Sequence, residues 1–250
     1  MKTEAYEQYR SEANNWLKAA RLRLLDTILA KNAGAGRQLR ILEIGAGVGQ
    51  NVEVLRRYGT VDVLEIDELG LQALRQLDGV RHVYDQPIPT ELDGSYDVII
   101  AFDVLEHLED DRVAAKWVAE NLNPGGHFIA TVPAYQWMFS DHDVALKHYR
   151  RYTRDRLVAA LPAELQVRQA GYFVCLLFPL AAAMRLVGKV LKLVRGRKGD
   201  DGEAVRKQSS SVPGFVDRIF LVELSAEVKA IGAGRALPFG LSVFCVARKS

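Results

Sequence analysis

A glycine-rich turn after an apolar run carries the clearest chemical signal in the chain. The run is Leu39–Ile44, and glycines occupy every second position from Gly45 to Gly49. Such glycines let the backbone approach a ligand closely, and the helix that follows presents free N–H groups. The dinucleotide fingerprint needs its third glycine where Gln50 stands, which disfavours a nicotinamide cofactor. Glu43 would repel a pyrophosphate, but it suits a cationic ligand with an amino group and a sulfonium.

Acidic residues follow the next three apolar runs. Glu65 comes twenty residues after Gly45, where a carboxylate can accept both ribose hydroxyls. Asp85 follows the third run, in position to meet an adenine amino group, and Asp103 follows the fourth. Taken alone, Glu65 or Asp67 is also compatible with a helix N-terminal acid, and Asp85 with a turn former. Because each ends a successive strand, their conjunction favours a nucleoside site.

A second group of candidate residues lies between Pro133 and Thr153, in a predicted loop crowded with polar and aromatic side chains. His142 or His148 is a candidate general base, because an imidazole titrates near neutral pH. Arg150 or Arg151 is a candidate for holding a carboxylate or phosphate.

Aromatic residues of the same loop complete the predicted acceptor site. Tyr135 and Trp137 are assigned to the acceptor, and Tyr152 is a further catalytic candidate. The alternative is that His148 and Tyr152 fix the loop to the sheet. Thr153 is predicted to cap the helix that begins at residue 154.

Short apolar strands alternate with helical patterns, which predicts an α/β fold with a parallel sheet. The predicted strands are Leu39–Ile44, Val61–Ile66, Val80–Tyr84, Tyr96–Phe102, His127–Val132, Leu165–Val174 and Leu241–Ala247. Helices are predicted over 4–31 and Glu109–Leu122, the latter stopped by a turn at Asn123–Gly126.

An apolar and basic insertion is predicted over residues 175–237. Arg185, Lys189, Lys192 and Arg195 recur at helical spacing, while residues 146–198 hold twelve basic and two acidic residues. Such a helix favours contact with an anionic membrane through 173–198, and a pocket lid or a dimer helix are the alternatives. The basic face lacks interleaved aromatic residues, so nucleic acid is not an expected partner. The linker over 196–211 is expected to be mobile, and a second helix is predicted over about 214–231.

Composition places the chain among ordinary globular proteins. It has 250 residues, 49% hydrophobic and 26% charged, which excludes disordered and collagen-like classes. One domain is predicted, with a helical cap over 1–36, a core over 37–174 and 238–250, and the insertion between them. Two cysteines give no disulfide framework and no zinc site. The start lacks an apolar signal region, and the longest apolar run is twelve residues, so we expect a cytoplasmic protein with peripheral contact at the inner membrane face as an option.

Together these motifs resemble class I S-adenosylmethionine-dependent methyltransferases. The matching stretches are Glu43–Gly49, Glu65, Asp85, Tyr96–Ile100, Leu105–Leu108 and Leu122–Gly126. The resemblance implies a Rossmann-like sheet of seven strands with the last strand antiparallel, helices on both faces, and S-adenosylmethionine over the carboxyl ends.

The resemblance also implies which residues hold the cofactor. They are Trp16, Glu43, Gly45, Ala46, Gly47, Asn51, Glu65, Ile66, Asp85, Phe102, Asp103, Val104 and His107. Trp16 belongs to an N-terminal helix like the one that covers the cofactor in a bacterial subset, although it could equally be core packing. Asp103, Glu106 and His107 are similar to a stretch of quinone-biosynthesis O-methyltransferases, but no metal is predicted.

The predicted function is methyl transfer from S-adenosylmethionine to a small-molecule or lipid-linked acceptor, at oxygen more than at nitrogen. The alternative is a non-catalytic protein that binds S-adenosylmethionine at a membrane surface. Neither the acceptor nor the oligomeric state follows from the sequence.

Overall fold

The computed structural model describes residues 15–32, 38–195 and 214–250, with side chains described over 17–32, 38–187 and 222–250. Its strands are β1 (Leu39–Ile44), β2 (Gly59–Leu64), β3 (Val80–Tyr84), β4 (Tyr96–Phe102), β5 (Leu122–Pro133), β6 (Leu165–Phe173) and β7 (Ser242–Lys249). Its helices are α1 (Asn15–Asn32), α2 (Val52–Leu55), α3 (Glu68–Leu74), α4 (Asp111–Asn121), α5 (Asp141–Ala145), α6 (Arg154–Ala160), α7 (Phe178–Arg195) and α8 (Gly214–Gly232).

The strands form one mixed sheet in the order β3-β2-β1-β4-β5-β7-β6. Strand β7 runs antiparallel to both of its neighbours, β5 and β6. The predicted sheet of seven strands with an antiparallel last strand is therefore confirmed. Strand order reverses between β1 and β4, and in such sheets a ligand binds in the crevice at the carboxyl ends of the strands beside that reversal.

The predicted turn at Asn123–Gly126 lies inside β5 and not before it. Strand β5 already begins at Leu122, which pairs with Tyr96, and the register shifts before Val98 pairs with His127. Gly125, at a positive φ of 78°, lies within this irregularity. The turn residues therefore form a bulge inside a longer strand instead of a loop between a helix and a strand.

Two apolar cores cover the two faces of the sheet. On one face, α1 contributes Leu24 and Ile28, and α8 contributes Leu224 and Val228, all of them buried. Helices α1 and α8 approach so closely that a side chain at Gly232 would lie 2.6 Å from the Thr27 methyl group. The second helix of the predicted insertion is therefore part of the main core.

The other face is covered by α4 and α6. Trp117 of α4 is buried there, and its indole N–H donates to the Thr90 carbonyl at 2.8 Å. Tyr152 is fully buried in the same core. Among the described helices, none combines the length and the apolar character that crossing a bilayer requires.

Parts of two predicted elements lie outside the described residues. Helix α1 is described from residue 15, so the predicted helical stretch over 4–14 lies outside them, and so does the predicted mobile linker over 196–211. The side chains of Trp16, Lys189, Lys192 and Arg195 lie outside them as well.

Candidate active site

The glycines of the turn after β1 adopt left-handed backbone conformations, which glycine accepts most readily. Gly45, Gly47 and Gly49 adopt φ values of 67°, 56° and 79°. A side chain at Gly45 would lie 2.6 Å from the Val104 side chain, whereas one at Gly47 would meet no atom within 4 Å. Gly47 therefore leaves open space beside the backbone, as a closely bound ligand needs.

Glu43 is buried at the end of β1, beside this turn. Asn51 donates to one of its oxygens at 2.5 Å, while the other oxygen is buried without a hydrogen-bond partner among the described residues. Burial raises the pKa of Glu43 to about 7, the Asn51 hydrogen bond opposes the rise, and nearby Glu65 adds to it. A buried acceptor without a donor fits the amino group of a cationic ligand.

Glu65 connects the end of β2 to the glycine turn. Its carboxylate accepts the backbone N–H of Gly47 at 2.7 Å and those of Ile66 and Asp67 at 2.8 Å. Ile66 is 64% exposed at this edge, which leaves an apolar surface free for a planar ring to cover. Asp67 accepts from Leu69 and Gly70, so the predicted alternative of a helix N-terminal acid fits Asp67.

The remaining predicted cofactor residues lie at the ends of β3 and β4. Asp85 is exposed and forms an ion pair with Arg75 at 3.1 Å. Asp103 adopts a positive φ of 54° and pairs with Arg21 of α1 at 2.6 Å. This ion pair holds α1 against the carboxyl edge of the sheet. Phe102 and Val104, which flank Asp103, and Ala46 of the glycine turn lie at the same edge.

The loop after β5 contains a buried pair formed by Asp143 and His148. One oxygen of Asp143 lies 3.0 Å from Nδ1 of His148 and 2.7 Å from Nε of Arg151. The other oxygen accepts the backbone N–H of Ser140 at 2.9 Å. Burial alone would raise the pKa of Asp143, but the hydrogen bonds from His148 and Arg151 hold it well below its usual range. Asp143 is therefore an ionised carboxylate that fixes the orientation of His148.

His148 also belongs to a cluster with Glu106 and His107. One potential metal-ligating atom of each of the three side chains lies within 4.8 Å of the others. Neither oxygen of Glu106 has a hydrogen-bond partner on another described residue. Burial and the charge of Asp103 raise the pKa of Glu106 well above its usual range, which favours the neutral form of this carboxyl. Burial and nearby His148 lower the pKa of His107. The expectation that no metal binds here stays a prediction.

The predicted anion-binding arginines already have carboxylate partners. Arg150 pairs with Asp111 at 3.2 Å, and Arg151 pairs with Asp143. Fully buried Tyr152 donates from its hydroxyl to Asp111 at 2.8 Å. The contacts with Asp111 fix the loop to the start of α4, and the backbone N–H of Tyr152 donates to the carbonyl of Pro133 in β5 at 2.9 Å.

Two further predictions concern the ends of this loop. The Thr153 side chain accepts from the backbone N–H of Arg156 at 3.2 Å, so the predicted helix cap is confirmed. His142 lies exposed on α5, and partial desolvation of its ring lowers its pKa. The His142 side chain forms no hydrogen bond with Asp143 or His148.

Aromatic side chains line the outer side of the site. Tyr135 adopts a positive φ of 60° at the end of β5 and stacks on Tyr172 with ring centroids 5.2 Å apart. Phe178 of α7 lies 5.1 Å from Tyr135 and 6.3 Å from Trp137. We call Tyr135, Trp137, Tyr172 and Phe178 the aromatic wall.

Sequence reasoning missed three members of this site. Asp143 lies five residues before His148 in an irregular loop, where no periodicity marks a pair. Tyr172 and Phe178 were assigned to a strand and to the insertion, and only the folded chain brings them to Tyr135. The signal that could have found Asp143 is its place in the same polar loop, directly after His142 and five residues before His148.

Comparison with known proteins places this site in a family. Residues 9–169 match the family model described as a methyltransferase domain. A ubiquinone biosynthesis O-methyltransferase of Aeromonas salmonicida (strain A449) is 33% identical over 155 residues, which cover 56% of this chain. The matched region spans 64% of that relative's length, which is under two thirds.

Solved structures share the fold at low identity. A SAM-dependent methyltransferase from Archaeoglobus fulgidus gives a TM-score of 0.58 at 16% identity and covers 99% of both chains. The N-methyltransferase NodS from Bradyrhizobium japonicum WM9, in complex with S-adenosyl-L-homocysteine, gives 0.52 at 18% identity and covers 67% of this chain and 87% of that one. At these identities the likeness concerns the fold alone.

Proposed function

This chain belongs to the methyltransferase domain family, and from that premise we propose that it transfers a methyl group from S-adenosylmethionine to a hydroxyl oxygen of a small-molecule acceptor. Family membership and fold confirm the predicted resemblance to class I S-adenosylmethionine-dependent methyltransferases. Relatives named as O-methyltransferases support oxygen as the acceptor atom. The Asp143–His148 pair is the observation that carries the proposal.

The residues at the carboxyl edge fit S-adenosylmethionine. Glu43 offers a buried oxygen to the amino group, Gly47 leaves the backbone open to close approach, and Glu65 stands beside it to accept from the ribose. Ile66 supplies an exposed apolar surface for the adenine, and Asp85 supplies an acceptor for its amino group. When bound, S-adenosylmethionine supplies a methyl group activated by its sulfonium.

We assign His148 the role of general base. Because ionised Asp143 accepts at Nδ1, the ring proton resides there and the lone pair of Nε2 is free. Nε2 would then take the hydroxyl proton of the acceptor as the acceptor oxygen displaces the sulfur from the methyl carbon, which leaves S-adenosylhomocysteine. His148 is 9% exposed, so little water competes for this nitrogen.

Four neighbouring groups hold this pair in place. Arg151 and Ser140 fix Asp143 through hydrogen bonds, which makes them positioning residues in our proposal. Arg150 and Tyr152 both contact Asp111 and anchor the loop to the start of α4. From sequence, Arg150 and Arg151 were candidates for binding the acceptor and Tyr152 was a catalytic candidate. In this proposal all three instead position His148.

The experiment compares His148→Asn with the wild type, using cofactor affinity and turnover as separate readouts. Loss of a positioned base is expected to lower kcat by about 10²–10⁴-fold, while the Kd for S-adenosylmethionine stays unchanged because the glycine turn is intact. His127→Asn is the matched control, since His127 lies in the middle of β5, outside the loop that holds His148. A near-normal rate of His148→Asn at every pH would return His148 to a purely structural role.

Peripheral contact with a membrane stays a prediction for residues 173–198. The apolar side chains of Leu180, Met184 and Val187 recur along α7 and are 58%, 51% and 57% exposed, which supports apolar contact with a lipid surface. A lipid-linked acceptor would reach the site from that side, where Phe178 of the same helix lines the aromatic wall. The alternative of a non-catalytic protein has no support in the described residues.

A further inference from the structure

Arg185 has an unusual setting on α7. It lies seven residues, or two helical turns, after Phe178, so the two side chains share one side of the helix. Phe178 contacts Tyr135 and Trp137, which places this side of α7 toward the acceptor site. Arg185 is accordingly half-buried, whereas the neighbouring side chains of Met184 and Leu186 are exposed.

The charges around Arg185 leave it without a close counter-ion. It lies within electrostatic range of Asp141, Asp143 and Arg151. Asp143 is already paired with Arg151 and hydrogen-bonded to His148, and Asp141 is exposed to water. Among the residues that the structure describes, none forms a hydrogen bond or an ion pair with Arg185.

A half-buried guanidinium without a partner is costly, because burial removes water from its five donors. Burial and the nearby charge of Arg151 lower the pKa of Arg185, but an arginine in a protein remains protonated. Its charge can be compensated by an anion that enters the site from outside. A carboxylate or a phosphate matches the planar fork of donors.

We propose that Arg185 binds an anionic group, a carboxylate or a phosphate, on the methyl acceptor, and so makes the enzyme selective for acidic acceptors. The inference rests on the proposed function, because it places the acceptor between the aromatic wall and His148. The aromatic wall adds a preference for a flat or apolar body next to the anionic group. This role belongs to Arg185 and not to Arg150 or Arg151, which have carboxylate partners inside the protein.

The test uses two probes that differ only in charge, 3,4-dihydroxybenzoate and 3,4-dihydroxybenzamide. Their affinities for the full chain, saturated with S-adenosylhomocysteine, are measured by calorimetry near neutral pH. Charge-assisted hydrogen bonds of this kind predict that the wild type binds the acid about tenfold more tightly than the amide. Arg185→Gln is expected to reduce this preference to less than about threefold, and Arg185→Lys to retain part of it.

Controls separate this role from a general loss of structure. Arg168→Gln removes an exposed arginine of β6 that donates to the Gln166 side chain, and it should keep the full preference for the acid. S-adenosylhomocysteine affinity should be equal in all variants, because the glycine turn is untouched. The inference is overturned if the wild type does not prefer the acid, including the case in which it binds neither probe. It is overturned as well if the preference survives in Arg185→Gln.

Two parallel assays distinguish the remaining explanations. If Arg185→Gln keeps the acid preference but loses binding to phosphatidylglycerol vesicles, Arg185 serves a membrane surface and the inference is wrong. Methylation of both probes is followed with S-adenosylmethionine in place of the product. An Arg185-dependent preference without any methyl ether would support acid recognition and refute methyl transfer. Methyl transfer at equal efficiency to both probes would support methyl transfer and refute acid recognition by Arg185.

Discussion

The unpaired oxygen of Glu43 predicts that cofactor binding depends on pH. In the unliganded protein, burial raises the pKa of Glu43 to about 7. The amino group of S-adenosylmethionine is cationic well below its own pKa of about 8. An ionised Glu43 attracts this group and a neutral one does not, so binding should lower the pKa of Glu43 and release its proton.

The magnitude follows from the pKa alone. If Glu43 is ionised throughout in the complex, the Kd for S-adenosylmethionine should be about fifteenfold lower near pH 7 than near about pH 5.5. Near about pH 6.5, binding should release about three quarters of a proton. The same shift acts on the unliganded fold, whose free energy of unfolding should decrease as the pH rises from 4.5 through about 7. The sign follows because the folded state holds this proton more tightly than the unfolded state.

Calorimetry in buffers of different ionisation enthalpy measures the affinity and the proton release together. Glu43→Gln should bind more weakly and should lose both the pH dependence and the released proton. Asp85→Asn is a suitable control, because this exposed carboxylate lies at another strand end and should leave the proton release intact. A wild-type Kd that stays constant over this pH range would refute the argument, as would an unchanged pH dependence in Glu43→Gln.

Three further predictions concern the cofactor edge and α7. Gly47→Ala should raise the Kd for S-adenosylmethionine by more than about tenfold, because the added methyl enters the open space beside the backbone. It should also cost about 1–2 kcal/mol of folding stability, because the backbone there is left-handed. Calorimetry measures the first effect and thermal denaturation the second. Glu65→Ala should cost about 1–3 kcal/mol of binding free energy, and equal Kd values for the variant and the wild type would exclude the ribose role. Replacing Leu180, Met184 and Val187 together by Ser should reduce co-sedimentation with anionic vesicles even at high salt, since apolar contacts are not screened; wild-type protein that stays in the supernatant at low salt would rule out membrane contact.

The sheet was predictable because most of its strands are local apolar runs, bounded by glycine, proline or polar residues. Strands β1, β3 and β4 have the predicted bounds, and the other four strands deviate by up to five residues at their ends. The bulge at Asn123–Gly126 was not predictable in this way, since turn residues signal a break in the strand but do not show that Leu122, before them, already pairs with β4. Pairing across the sheet is a tertiary contact that Pro and Gly in the local sequence do not reveal.

The candidate site divides along the same line. The cofactor edge could be predicted because each of its residues directly ends a strand, and parallel strands bring their ends together. Asp143 could not, because its pairing with His148 depends on the path of one irregular loop. Helical spacing predicted that Arg185 lies on a basic outer face. In the structure, Phe178 on the same side of α7 contacts Tyr135, so Arg185 faces the acceptor site as well.

Methyl transfer itself is the central claim, and one measurement tests it most directly. The purified full chain is incubated with methyl-labelled S-adenosylmethionine and a host extract, which is then divided into lipid and small-molecule fractions. The proposal predicts labelled O-methyl ethers in one of these fractions with the wild type and about 10²–10⁴-fold less label with His148→Asn. Equal label with both proteins would contradict the assignment of His148 as the base. Label on nitrogen alone, or no transfer by a wild-type protein that binds S-adenosylmethionine, would contradict the proposed reaction.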